Sequence, residues 1–565
     1  MPRDQQLIKL WNDWSDGVGF LEDDGSTKGL YFARHFVGGK GMLQVTPRPS
    51  TVNITAVAGI TGAVTPHHYF EEVDGDGLPK LYVISKAISN ISRVHKIDTN
   101  NGTYGTVRGT RSQGTRTFPT GQPAKYQGNW YVSGSNSATP DQRIEQLTTV
   151  GIGAAADTWT ASAANAAFAG THLGLINNQL CKYISGSGVN ILAEDATWNT
   201  AASWGSFFEV GDLNDQALAL LPLRGAMFPY SNTGIYSFNN RGRSGLAVED
   251  MGSFARNLSI RSAVAWKEGM VIAHPTGLYY YVPGNPPINI SLGYKNSGGM
   301  SPRISTTGSM IDPRYGQYYG LAVIGDNIYT SYHAQEGYTT VPGEFLLLWG
   351  RAINSDPTNV AWNIIAAPRM LMNGNTQFNN VYVARLGEPI EVSTATPTLW
   401  FGGTEDLTTF YMFNMPLTEN GSFYTPRFRT EFLDLPDSDG GTAPVYTQFP
   451  KSIAVHSELL FSQGMDLTEV VVYLDDAIDG DLFTLRLYSN DIEPSGSGIE
   501  TGEPLFDGYS LGAPLAGQGR HSREIDYKGV YRMNLAVEFE TSAHTGRITS
   551  PPSIRQIELY GRPSE

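Results

Sequence analysis

Apolar residues along this chain fall in short runs, and nearly every run is closed by Gly, Pro, Asn or Asp. The clearest case is Arg261–Val282, RSAVAWKEGMVIAHPTGLYYYV. Its β-favouring runs Ala263–Trp266, Met270–Ala273 and Leu278–Val282 are separated by Lys267-Glu268-Gly269 and by His274-Pro275-Thr276-Gly277. Aromatic and β-branched runs punctuated in this way predict an antiparallel meander. The same pattern occurs at 67–98, 123–150, 171–195, 217–238, 318–352 and 379–415. The turn between the first two strands falls near residues 77, 128, 178, 225, 269, 326 and 387, in steps of about 44 to 61 residues. That spacing suits four strands per unit. A lone meander cannot bury both faces, whereas copies packed face to face around an axis can, so the pattern predicts a β-propeller of about seven blades, with six to eight as the range.

Either side of these units the texture differs. Residues 1–50 carry short β-like pieces around an acidic turn and read as a lead-in whose strand closes the last blade, since an unpaired edge is a liability. The propeller is expected over 51–416 and a Pro/Gly/Asp-rich linker, containing LDLPDSDGGTAP, over 417–444. From 445 to 565 the strands are longer and alternate more cleanly, as in EVVVYLDD (469–476) and IRQIELYG (554–561). Alternation means one face packed and one solvated, which predicts a C-terminal β-sandwich of jelly-roll type. The fold class expected is therefore all-β.

Composition agrees: charged residues are 16%, while Gly (63), Tyr (29) and Phe (24) are abundant. A formal charge of −15 argues against a broad nucleic-acid-gripping surface, although an acidic wall would let DNA pass without sticking. The start, MPRDQQLIKLWNDW, lacks the apolar core of a signal peptide, and no window of 18 apolar residues follows, so a soluble chain made in the cytoplasm is expected. With Cys181 as the single cysteine, neither an intrachain disulfide framework nor a cysteine-based zinc site can form.

The candidate chemistry is sparse. Gly151-Ile152-Gly153-Ala154-Ala155-Ala156 imitates a dinucleotide fingerprint but lacks the long helix and distal acid that the chemistry requires. Asp74-Gly75-Asp76-Gly77 after Glu71-Glu72, and Asp475, Asp476, Asp479 and Asp481, could offer oxygens to Ca²⁺, yet hairpin turns account for both. His67 and His68 are adjacent in a strand and so point to opposite faces. Tyr279-Tyr280-Tyr281 and Tyr315, Tyr318 and Tyr319 could stack on sugars, but blade packing consumes large aromatics. No inner-strand carboxylate pair stands out, as a propeller glycosidase would require. The expectation is no catalytic, cofactor-binding or metal-binding residue, no cofactor and no enzymatic activity.

Several phrases together resemble the β-propeller tail proteins of tailed bacteriophages: Gly41-Met42-Leu43-Gln44-Val45-Thr46-Pro47-Arg48-Pro49, LLPLRGAMFPYSNTGIYSF (220–238), SAVAWKEGMVIAHPTGLYYY (262–281) and the stretch from Phe428 to Leu435. The resemblance implies a virion structural component of tail nozzle or accessory type. It would be a homo-oligomer assembled in the host cytoplasm, with adaptor, tube or fibre proteins as partners and host-surface glycan as a further contact. The alternative is a glycan-binding or glycan-cleaving propeller module whose second domain grips carbohydrate.

Overall fold

The computed structural model describes residues 5–19, 22–23, 28–46, 50–53, 64–73, 79–87, 92–97, 107–112, 123–134, 143–148, 158–161, 168, 170, 172–176, 178–184, 188–210, 217–223, 226–231, 234–239, 242–249, 263–274, 277–292, 317–335, 342–366, 377–384, 398–405, 409–416, 452–477, 480–489, 509–541 and 551–564. The chain is all-β: among the described residues its elements are strands, with a short 3₁₀ turn at Ala201–Ser203. Five consecutive antiparallel meanders of four strands each occupy 64–112, 124–161, 172–209, 217–249 and 263–289. A sixth runs from Gln317 to Ala366, and a seventh comprises Gln377–Ala384, Thr398–Glu405, Thr409–Pro416 and, from far upstream, Ser50–Asn53. The tight turns follow from sequence. Gln127 and Gly128 both sit at positive φ between Tyr126 and Asn129, as a type I′ hairpin requires.

The meanders succeed one another cyclically. From Ala124–Tyr126 onward, the first strand of each lies beside the first strand of the next, and Gln377–Ala384 lies beside Val64–Val73. Between the first and second meanders, Phe70 and Tyr82 pack against Val132, Leu147 and Trp130, and polar contacts flank them: Lys125 Nζ is 2.7 Å from Glu72 Oε2, and the Trp130 indole N–H donates to the Glu71 carbonyl at 3.0 Å. Facing meanders bury apolar side chains against each other, as Leu221, Tyr230 and Ile235 do against Met270, Ile272 and Tyr281. Each such side chain is worth about 1.5–3 kcal/mol of burial.

The lead-in behaves differently from the sequence expectation. Of its described residues, Ser50 alone belongs to the strand that pairs with Thr409–Pro416. Upstream of it, Gln6–Trp11 and Met42–Val45 pair with Ser553–Pro563, and Gly29–Arg34 pairs with Ser452–His456. The physical reason is burial: Trp11, Trp14, Leu30, Phe36, Leu43 and Val45 enter one core with Val470, Val472, Leu535, Val537, Ile557 and Leu559. His456, fully buried, anchors this core. Its Nε2 accepts from the Trp14 indole N–H at 3.1 Å and its Nδ1 donates to the Leu535 carbonyl at 3.0 Å, which places the ring proton on Nδ1. The lead-in also touches the sixth meander. Gly17 is paired with Trp362, and Gly38 N–H donates to Asn363 Oδ1 at 3.1 Å.

Candidate functional site

The site is built by strand alternation in the C-terminal half. Strand Glu458–Asp475 is flanked by Gly519–Thr541 on one side and Ser553–Pro563 on the other. Residues opposite one another across a ladder share a face. Val470, Val472 and Leu474, with Ile554, Ile557 and Leu559, face the core. The intervening positions therefore form the other face: Glu469 opposite Tyr560 and Glu524, Val471 opposite Glu558 and Ser522, and Tyr473 opposite Gln556 and Arg520. Val471 is buried at 0% exposure and forms the floor, while longer polar and aromatic side chains stand around it, with Arg520, Ser522 and Glu524 open to solvent.

These side chains are already ordered by one another. The Ser522 hydroxyl donates to Glu469 Oε1, Gln556 Nε2 donates to Glu558 Oε1, and the Tyr560 hydroxyl donates to Glu558 Oε2 at 2.9 Å. Arg520 hydrogen-bonds Tyr473 and lies 3.9 Å from Glu469, and the Tyr473 bond leads the causes that raise the Arg520 pKa. The Tyr560 phenol is also raised, first by its bond to Glu558, then by partial burial and by the nearby carboxylate charge. At the margin, Arg555 sits 5.7 Å from the Tyr473 ring centroid and 3.9 Å from Asp475. The arrangement offers two tyrosine rings, Tyr473 with Arg555 beside it, carboxylates that accept hydroxyl hydrogen bonds, and the Arg520 guanidinium as a donor.

The residues singled out from sequence are distributed elsewhere. The 74–77 and 151–156 stretches, Asp479 and Tyr315 lie outside the described residues. Asp475 pairs with Arg555, Asp476 takes a turn conformation at φ 55°, and Asp481 is fully buried. Among the described residues no group of three or more His, Cys, Asp or Glu could hold a metal ion. His68 is buried in the first meander. Tyr280 and Tyr281 enter two different cores, and Tyr318 is fully buried with its phenol oxygen accepting from Leu292 N–H at 3.2 Å. These tyrosines are packing, as expected. Sequence reasoning missed Glu469, Tyr473, Arg520, Glu558 and Tyr560 as a group. The alternation in 469–476 and 554–561 marks their face, but nothing in the sequence sets the two segments side by side.

No family model and no curated protein sequence matches this chain. Solved structures similar to it include a Trypanosoma rangeli sialidase in complex with sialic acid, at 10% identity and TM-score 0.31 over 100% of this chain and 97% of that one. Another is the exo-beta-1,3-galactanase of Phanerochaete chrysosporium, at 9% identity and TM-score 0.21 over 91% and 100%. A third is an exo-1,5-alpha-L-arabinanase from a bovine ruminal metagenomic library, at 9% identity and TM-score 0.22 over 53% and 94%. The sequence expectation of no enzymatic activity is withdrawn: the solved structures just described are, by their names, a sialidase, a galactanase and an arabinanase.

Proposed function

We propose that the chain is a seven-bladed β-propeller carrying a C-terminal β-sandwich, and that the solvated face of the sandwich engages glycans. The cyclic order of the meanders and the closing strand Ser50–Asn53 support the first part. The second part rests on one observation: Tyr473 and Tyr560 share an open sheet face with Glu469, Glu558 and Arg520. Sugars present apolar C–H faces that stack on aromatic rings and hydroxyls that pair with carboxylates and guanidinium, and this face supplies all three partners. Screening the full chain on an array of diverse oligosaccharides tests the reading. Binding is expected, with Y473A and Y560A each weakening it about tenfold or more, and a chain that binds no glycan rejects it. Following product release from any bound oligosaccharide, in the native chain and in E558Q, tests cleavage directly.

A second reading is a phage tail component, of nozzle or accessory type, oligomeric and in contact with other tail proteins. It is supported by the pairing of Gln6–Trp11 with Ser553–Pro563, which ties strands far apart in sequence into one sheet. Electron microscopy of particles carrying a C-terminal label tests it, since absence of the label from virions would exclude that role.

A further inference from the structure

The polar face continues onto the N-terminal strand, and there it becomes apolar. Leu7 and Leu10 are 49% and 39% exposed, among the few large apolar side chains left open to solvent among the described residues. Three positions apart in a regular strand, they would point to opposite faces. The strand is not regular: its register shifts between Leu7 and Lys9 and leaves Ile8 without a partner, so Leu7 stands opposite Tyr560 and Leu10 opposite Glu558. Ile8 packs toward the core over Gly561, where a side chain would collide with it. Bulges of this kind re-aim side chains, and they concentrate beside functional sites. Here one extra residue brings both leucines onto the face that carries Tyr473, Tyr560, Glu469 and Glu558.

We infer that this face recognises glycans bearing an apolar substituent, with the sugar over Tyr473 and Tyr560 and an alkyl or acyl group lying on Leu7 and Leu10. The inference rests on the glycan reading above. Four strands side by side make the face about 14 Å across, from Arg520 and Ser522 at the polar end to the leucines at the apolar end. Covering exposed apolar surface is worth about 25 cal/mol per Å², so a short alkyl chain laid on two leucines is expected to tighten binding about tenfold.

The experiment is titration calorimetry of the full chain with chitobiose, cellobiose and lactose and with their hexyl glycosides, kept below micelle-forming concentrations. The expected result is that at least one hexyl glycoside binds about tenfold tighter than its parent, that this advantage falls below about twofold in the L7S/L10S double variant, and that the parent sugar binds both proteins equally. L460S, which removes an exposed leucine nine positions before Glu469 on the same strand, opposite Arg532, should keep the full advantage and so controls for general stickiness. An alkyl advantage absent from the native chain, or undiminished in L7S/L10S, overturns the inference while leaving glycan binding intact. Failure of every sugar, with or without its alkyl group, overturns the glycan reading itself.

Discussion

Single residues bear strain and charge that the surrounding structure must hold. Gly17 has φ +80° and a Cβ there would run into the Trp362 backbone, so both conformation and space demand glycine. G17A is expected to destabilise the protein by about 2–4 kcal/mol, read from the urea unfolding midpoint. Lys182 presents the opposite problem. It is buried at 1% exposure with its ammonium 4.7 Å from the Trp204 ring centroid, and burial lowers its pKa from 10.5 to about 7. Between those two values the unfolded chain binds more protons than the folded one, so the lysine's cost is fully present below pH 7 and is relieved as pH rises toward 10.5. K182M is therefore expected to melt higher than the native chain at pH 6, with the difference shrinking toward pH 10 in parallel thermal scans.

At the scale of elements, the informative strand is Ser50–Asn53. It is separated by more than 350 residues from its partner, since Asn53 pairs with Tyr411 and Ser50 with Asn414. Without it, Thr409–Pro416 would be a bare edge. Proline cannot donate to a ladder, and substituting both Thr51 and Val52 ensures that an inward N–H is lost. T51P/V52P is expected to cost about 2 kcal/mol or more and to make the seventh meander the first site of proteolytic cleavage, seen by mass spectrometry of a timed digest. The meander boundaries were legible because turns such as Gln127-Gly128 and Lys267-Glu268 announce themselves locally. The closing strand was expected of the lead-in, but its place at the very end of that segment was not legible, because 50–53 reads like any other short polar strand.

At the scale of the molecule, the N-terminal segment links parts that the sequence keeps apart. Its strands pair with Ser452–His456 and Ser553–Pro563, and its Gly17 and Gly38 meet Trp362 and Asn363 of the sixth meander. Removing residues 1–46 is accordingly expected to expose Val455, Ile557 and Leu559 to water, and dye binding to apolar surface, together with lost protection in hydrogen exchange over 452–475, would register it. The candidate site belongs to this scale too. Its residues come from three strands whose only common feature in sequence is a period of two.

The sequence by itself determined the all-β class and the strand–turn rhythm, because hydrophobic alternation and turn chemistry act over a few residues. It also marked which positions of 469–476 and 554–561 turn away from the core. Only the tertiary structure decided that Glu469 stands opposite Tyr560, that Glu558 stands opposite Val471, and that a bulge at Ile8 adds two leucines to their face. Register between distant strands is fixed by the shared core beneath them, where Trp11, Val472 and Ile557 must be buried together.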